Sequence, residues 1–239
     1  MAFGFCNHAI NSIAEGPGRA WARAGFGWIT GAALLLAAGC SVVDKPVRAT
    51  MYDFGPGALA TQGAPSTSAA SPALRPLALA EVATVGGALE NQAVLYRLAY
   101  VDAQQLRPYA QARWSMPPAQ LVRQRLRERL GQDRVVLTAR ENVALNRSQN
   151  ADLWMLRLEL EEFSHLFTTS AASEGRVRLH ATLVEMTPAG ERLLAQRSVA
   201  VRQSAPSLDA AGGVRALTAA TDAAIDELAQ WLAQQPGAR

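Results

Sequence analysis

Midway along the chain, leucine and charge alternate residue by residue: in Leu156-Arg157-Leu158-Glu159-Leu160-Glu161 the leucines fall on one side and the ionised groups on the other. A period of two belongs to a β-strand, and this separation predicts a sheet with one packed face and one solvated face. Residues 176–183 repeat the alternation. A third such segment, 192–202, follows the turn composition Thr187-Pro188-Ala189-Gly190, so the three predict an antiparallel meander. Opposed registers would bring Arg176 or Arg178 near Glu159 or Glu161. Upstream, residues 50–54 read as a strand ended by Gly55-Pro56-Gly57, and residues 77–85 as a strand with its odd positions apolar, ended by Gly86-Gly87. Residues 94–100 and 134–138 are rich in β-formers, while 102–109 are mixed enough for a loop or a helical turn.

The spacing changes twice. After Met116-Pro117-Pro118, the apolar residues Leu121, Val122, Leu126 and Leu130 recur at helical intervals and stop at Gly131. Val214, Leu217, Thr221, Ala224, Ile225, Leu228, Trp231 and Leu232 predict a long C-terminal helix, with Ser207 as its N-cap and Pro236-Gly237 at its end. Residues 58–73 carry no charge and are dominated by Ala, Ser, Thr, Gly and Pro, which predicts a flexible loop; 139–150 is a polar connection. The order of elements predicts one α+β domain over residues 50–235: two layers, a mostly antiparallel sheet with two main helices packed on one face.

Ahead of this domain the pattern is different. Arg19 and Arg23 precede an apolar run, rich in Gly and Ala, that occupies residues 25–39 and stops at Cys40. That is the layout of a secretory signal, and the run is shorter than the roughly 20 apolar residues of a spanning helix. Leu36-Ala37-Ala38-Gly39-Cys40 resembles the bacterial lipobox, in which small residues fit the signal peptidase and the thiol receives diacylglycerol. Residues 1–39 are therefore expected to be removed and Cys40 to be lipidated, with 40–49 as a tether. Cys6 leaves with the signal, so Cys40 is the one cysteine of the mature chain and no disulfide is available. Losing Arg19, Arg23 and Glu15 takes the formal charge from +3 to about +2. The basic residues are almost all arginine and are dispersed; the densest run, Arg123 to Arg129, is broken by Glu128 and reads as a solvated helix face, so a nucleic-acid partner is not indicated.

The mature chain offers little to catalysis. His8 lies in the signal, His165 just beyond a strand and His180 at an outward strand position, and no pair of them has metal-ligand spacing. Glu159, Glu161 and Glu162 read as a solvated strand face, and the Gly55 and Gly212-Gly213 segments, lacking the lysine and hydroxyl of a phosphate loop, read as turns or helix starts. No catalytic residue, metal or cofactor is expected. Tyr96, Tyr100, Tyr109 and Trp114 form a local concentration in a chain only 6% aromatic; core packing and an interaction surface both remain open for them.

Leu95-Tyr96-Arg97, then Tyr109, Arg113-Trp114 and Pro117-Pro118, followed by Leu158-Glu159-Leu160-Glu161-Glu162-Phe163 and the stretch from Ala211-Gly212-Gly213-Val214 to Trp231, resemble the ABC-type transport auxiliary lipoprotein family over nearly all of the mature chain. The resemblance implies a non-enzymatic, lipid-anchored periplasmic protein. It would accompany an MCE-type substrate-binding protein and an ABC transporter permease and ATPase that move lipids between the two membranes. Ser41 after the cysteine, in place of the aspartate common to inner-membrane lipoproteins, implies the outer membrane. Tyr96, Arg97, Tyr109 and Trp114 become the residues expected to touch a partner or lipid, and a ring or dimer of copies would suit a symmetric partner. Two other readings stand beside this one: a lipoprotein that activates a cell-wall synthesis enzyme, and a lipid-anchored hydrolase using Glu161 and His180.

Overall fold

The computed structural model describes residues 48–57, 74–138, 141 and 153–239; Cys40, the signal, most of the tether, the 58–73 loop and most of the 139–150 connection lie outside them. Eight strands and two long helices follow in the order β1 (Thr50–Tyr52), β2 (Leu74–Thr84), β3 (Ala93–Leu98), β4 (Asp102–Trp114), α1 (Pro118–Leu130), β5 (Arg134–Thr138), β6 (Leu153–Thr169), β7 (Ala172–Thr187), β8 (Gly190–Ser204) and α2 (Ala210–Ala233). The α+β class read from the sequence is the observed one.

β6 is the spine of the single sheet. One of its edges pairs antiparallel with β7 along almost its whole length, and β8 lies beyond β7, which makes the meander. Its other edge is divided: β2 runs parallel to residues 154–160 and β3 runs parallel to residues 165–167. β5 extends the sheet from β2, while β4 and then β1 extend it from β3. The two long ladders make the sheet largely antiparallel, although the strands on the divided edge join β6 in parallel.

The division coincides with a bulge in β6. Leu160 faces Leu179 across the ladder, and the next paired residue, Glu162, faces Arg178, so Glu161 is an extra residue. An inserted residue reverses which side chains point inward. Trp154, Leu156, Leu158 and Leu160 are buried before it, and Phe163 and His165 after it. Both glutamates reach Arg178 on the outer face, at 3.9 Å from Glu161 and 3.0 Å from Glu162. The expected meeting of Arg178 with the glutamates is therefore present, whereas Arg176 pairs with Glu174 and His180 stands opposite Glu159. β2 has its own register shift between Leu79 and Val82, so Leu77 and Leu79 are core residues as expected while Val85 is exposed.

Both helices cover the face lined by the leucines. Arg125 of α1 meets Asp222 of α2 at 3.2 Å and Arg129 meets Asp226 at 2.7 Å; steps of four on both helices mean that the two run in the same direction. α2 starts at Asp209 and not at Ser207: the Asp209 carboxylate accepts from the Gly212 N–H and from the Ser207 hydroxyl, which hold it below the usual carboxylate range.

Two further expectations are corrected. Residues 102–109 are strand, the first part of β4, and not a loop or helical turn. β4 takes more residues than β3 to cover the same length, with register shifts at both ends of their pairing, and these interruptions hide the period of two. The basic run of α1 is a solvated face only in part: Arg127 is exposed and Arg123 and Arg129 are partly so, but Arg125 is not. Arg125 is buried and donates to the Phe54 carbonyl, Arg123 pairs with Glu81, and Arg129 pairs with Asp133 and Asp226.

Candidate interaction site

The sheet separates the four residues singled out in the sequence. Tyr96 on β3 and Tyr109 on β4 lie together, ring centroids 4.5 Å apart. Arg97, one residue on, belongs to the opposite face, where it donates to the carbonyls of Ala103 and Gln104. There it lines an open depression of about 590 Å³ with Glu161, Glu162, Leu166, Arg176 and Arg178. Trp114 is in the core, edge-on to Phe54 and against Phe163.

The tyrosine pair is organised by His165, a residue outside the expected contact set. His165 is not beyond a strand but inside β6 and fully buried, and the Tyr109 hydroxyl lies 2.8 Å from its Nδ1. The ring of Phe167 is 4.5 Å from the His165 ring, and the edge of Tyr96 meets Phe167 at 6.1 Å. Tyr96 and His165 are brought side by side because they are register partners across β3 and β6. Burial pushes the imidazole down to about 4, against the opposing pull of Asp209, and pushes the Tyr109 phenol up. The pair is thus neutral at ordinary pH, and His165 Nε2 is buried without a hydrogen-bond partner.

Glycines allow the start of α2 to sit on this cluster. A Cβ at Gly213 would come 2.4 Å from His165 Nδ1. One at Gly175, the register partner of His165 on β7, would come 2.6 Å from the backbone of Ala216 and Leu217. The Gly212-Gly213 doublet, read in the sequence as a turn or helix start, is a helix start, and its lack of side chains also serves this close approach. The Glu161-Glu162 doublet is the one trace of the bulge that the sequence carries.

His180 is half-buried on the outer face beside Ser198 and Gln196. Among the described residues no group of three or more His, Cys, Asp or Glu side chains is arranged to hold a metal ion, and no helix is long and apolar enough to cross a membrane. The groove between the helices, about 340 Å³, is lined by the Arg125–Asp222 and Arg129–Asp226 pairs. Glu128 lines it too, and each guanidinium there meets carboxylates of the protein itself.

Comparison with solved structures finds protein XCC0632 from Xanthomonas campestris, of family DUF330, at 18% identity and a TM-score of 0.54, covering 67% of this chain and 87% of that one. That likeness shows a shared fold. The hypothetical protein CT253 from Chlamydia trachomatis follows at 10% identity and a TM-score of 0.44, with 67% and 96% covered. No curated protein matches the chain. The family model described as the ABC-type transport auxiliary lipoprotein component matches residues 58–229, which include all of the strands after β1, the helix α1 and most of α2. With that match the chain belongs to the ABC-type transport auxiliary lipoprotein family.

Proposed function

We propose that this protein is the docking subunit of an MCE-type ABC transport system that moves lipid between the inner and outer membranes, held by lipidated Cys40 on the periplasmic face of the outer membrane. The observation that carries the reading is the family match across residues 58–229. Membership supplies the link to an ABC transporter; the lipobox-like Leu36-Ala37-Ala38-Gly39-Cys40 supports the anchor, and Ser41 supports the outer membrane. The role is binding and scaffolding, in which a domain held at one membrane meets a partner spanning the periplasm, and multiple copies would match a symmetric partner. Catalysis forms no part of it: His165 is enclosed against Tyr109, and Glu161 and Glu162 are engaged with Arg178. The test is crosslinking in intact membranes followed by identification of the captured protein. Recovery of an MCE-type protein or its permease is the expected result; recovery of a peptidoglycan synthase with no MCE protein would replace this reading with the cell-wall one.

A further inference from the structure

One end of the sheet is a continuous rim. The Ala99 N–H donates to the Phe167 carbonyl, Phe167 is the register partner of Ser173, and the Ser173 carbonyl accepts from the Ala205 N–H. These four residues form a row across three strand spacings, about 15 Å. Immediately beyond the row, at its two ends, the chain exposes large apolar side chains: Tyr100, 50% exposed, and Val101, 64%, in the β3–β4 turn, and Leu208, 46%, ahead of α2. Of the seven large apolar side chains exposed among the described residues, these three share the rim and stand on loops at both ends of its row, whereas Met51, Val85, Val135 and Leu193 lie elsewhere; apolar groups that share one edge in this way can meet an apolar surface together.

The course of the chain points to a lipid surface. β1 runs parallel to β4 and β4 antiparallel to β3, so β1 runs opposite to β3, which ends at the rim. The N-terminal end of β1 therefore faces the rim. Thr50 lies beside Ala112, level with the start of β3, so it is about the length of β3 from the rim, roughly 20 Å. Nine residues lie between Cys40 and Thr50, and the ten steps from one to the other span at most about 35 Å. A lipidated Cys40 thus reaches a bilayer lying against the rim.

We propose that Tyr100, Val101 and Leu208 rest in the interfacial zone of the same leaflet that holds the Cys40 acyl chains, fixing the orientation of the domain on the membrane. This rests on the anchor proposed above. Shallow insertion of a few apolar side chains adds to a lipid anchor, and a tyrosine suits the headgroup boundary, where its ring is buried and its hydroxyl stays wet.

The test has two arms. In the first, Val101→Cys, Leu208→Cys and, at the opposite end of the sheet, Val135→Cys are placed in the lipidated chain, whose other mature cysteine is blocked by lipid. Each is labelled with an environment-sensitive fluorophore and reconstituted on phosphatidylethanolamine–phosphatidylglycerol vesicles. Labels at 101 and 208 are expected to shift to the blue and to be quenched by nitroxide-bearing lipid, and the label at 135 to remain in water. In the second arm, unlipidated Cys40→Ser protein is titrated with the same vesicles. Replacing Tyr100, Val101 and Leu208 together by serine is expected to lower its partitioning about tenfold with an unchanged melting temperature. If the labels at 101 and 208 are as water-exposed as the one at 135, and the triple substitution leaves partitioning unchanged, the proposal is overturned; protection of those labels only when a protein partner is added would assign the rim to that partner. Failure of the lipidated chain to float with vesicles would count against the Cys40 anchor alone, because the second arm reads the rim without it.

Discussion

The two halves of β6 turn side chains toward the same helix-covered face of the sheet and are packed by different means. Before the bulge at Glu161, Trp154, Leu156, Leu158 and Leu160 place large side chains under the helices, and the space between the layers is filled by side-chain volume. After it, at His165, the start of α2 descends onto the sheet through Gly175 and Gly213, and the layers meet almost backbone to side chain. The first arrangement tolerates small adjustments and draws its stability from apolar area. The second encloses polar atoms, a phenol and an imidazole, whose protonation states are then fixed by burial. One strand thus supplies both a generic core and a chemically particular contact, and one extra residue separates them.

Three measurements probe that contrast. Truncating the regular half should cost most: Leu158→Ala is expected to lower unfolding free energy by about 3 kcal/mol in urea titration, through lost apolar contact and a cavity closed on both sides. The half beyond the bulge should instead reveal itself through pH. His165 is held near 4, below its unfolded value of about 6.5, so below that unfolded value the unfolded chain takes up a proton that the native chain refuses. The stability that neutral His165 confers is complete above about pH 6.5 and declines toward pH 4. Between pH 7 and pH 4.5 the wild type is expected to lose roughly 2 kcal/mol more than His165→Gln; equal losses would show that the imidazole is not enclosed as described. The smallest effect belongs to the bulge's outer face, where Arg178 is half-exposed. Arg178→Ala should cost about 0.5 kcal/mol or less, diminishing in salt, and a larger cost would mean that the bulge depends on its ion pairs.

The same bulge explains what was legible in the sequence. Continued in period two, the pattern of Leu156, Leu158 and Leu160 would turn Glu162, Ser164 and Leu166 inward and His165 outward. The inserted Glu161 turns Phe163 and His165 inward instead. The leucine face, the meander, both helices and the two-layer architecture were readable because their periods run unbroken for long enough. β4 was not, because its extra residues relative to β3 interrupt its alternation. Of the candidate contact residues, the nearness of Tyr96 to Tyr109 agrees with their grouping as aromatics. Arg97 lies on the opposite face from Tyr96, since neighbours on a strand face opposite ways, and Trp114 is in the core, one of the two alternatives left open for it. His165 gave no sign of its position, because only the pairing of three strands and the arrival of a helix define it.

β1, three residues long, has a mechanical consequence out of proportion to its length. β1 lies parallel to β4, so tension applied to its N-terminal end along the axis of the strand loads the β1–β4 ladder in shear. Its hydrogen bonds then bear the force together and do not open one at a time. Immediately behind them, the Arg125 guanidinium grips the Phe54 carbonyl and Asp222, and the Phe54 ring is wedged against Trp114 and Phe163. A pull on the leading segment is therefore delivered to both helices and the middle of β6 as one body, and the shortest strand in the sheet serves as its fixing bolt.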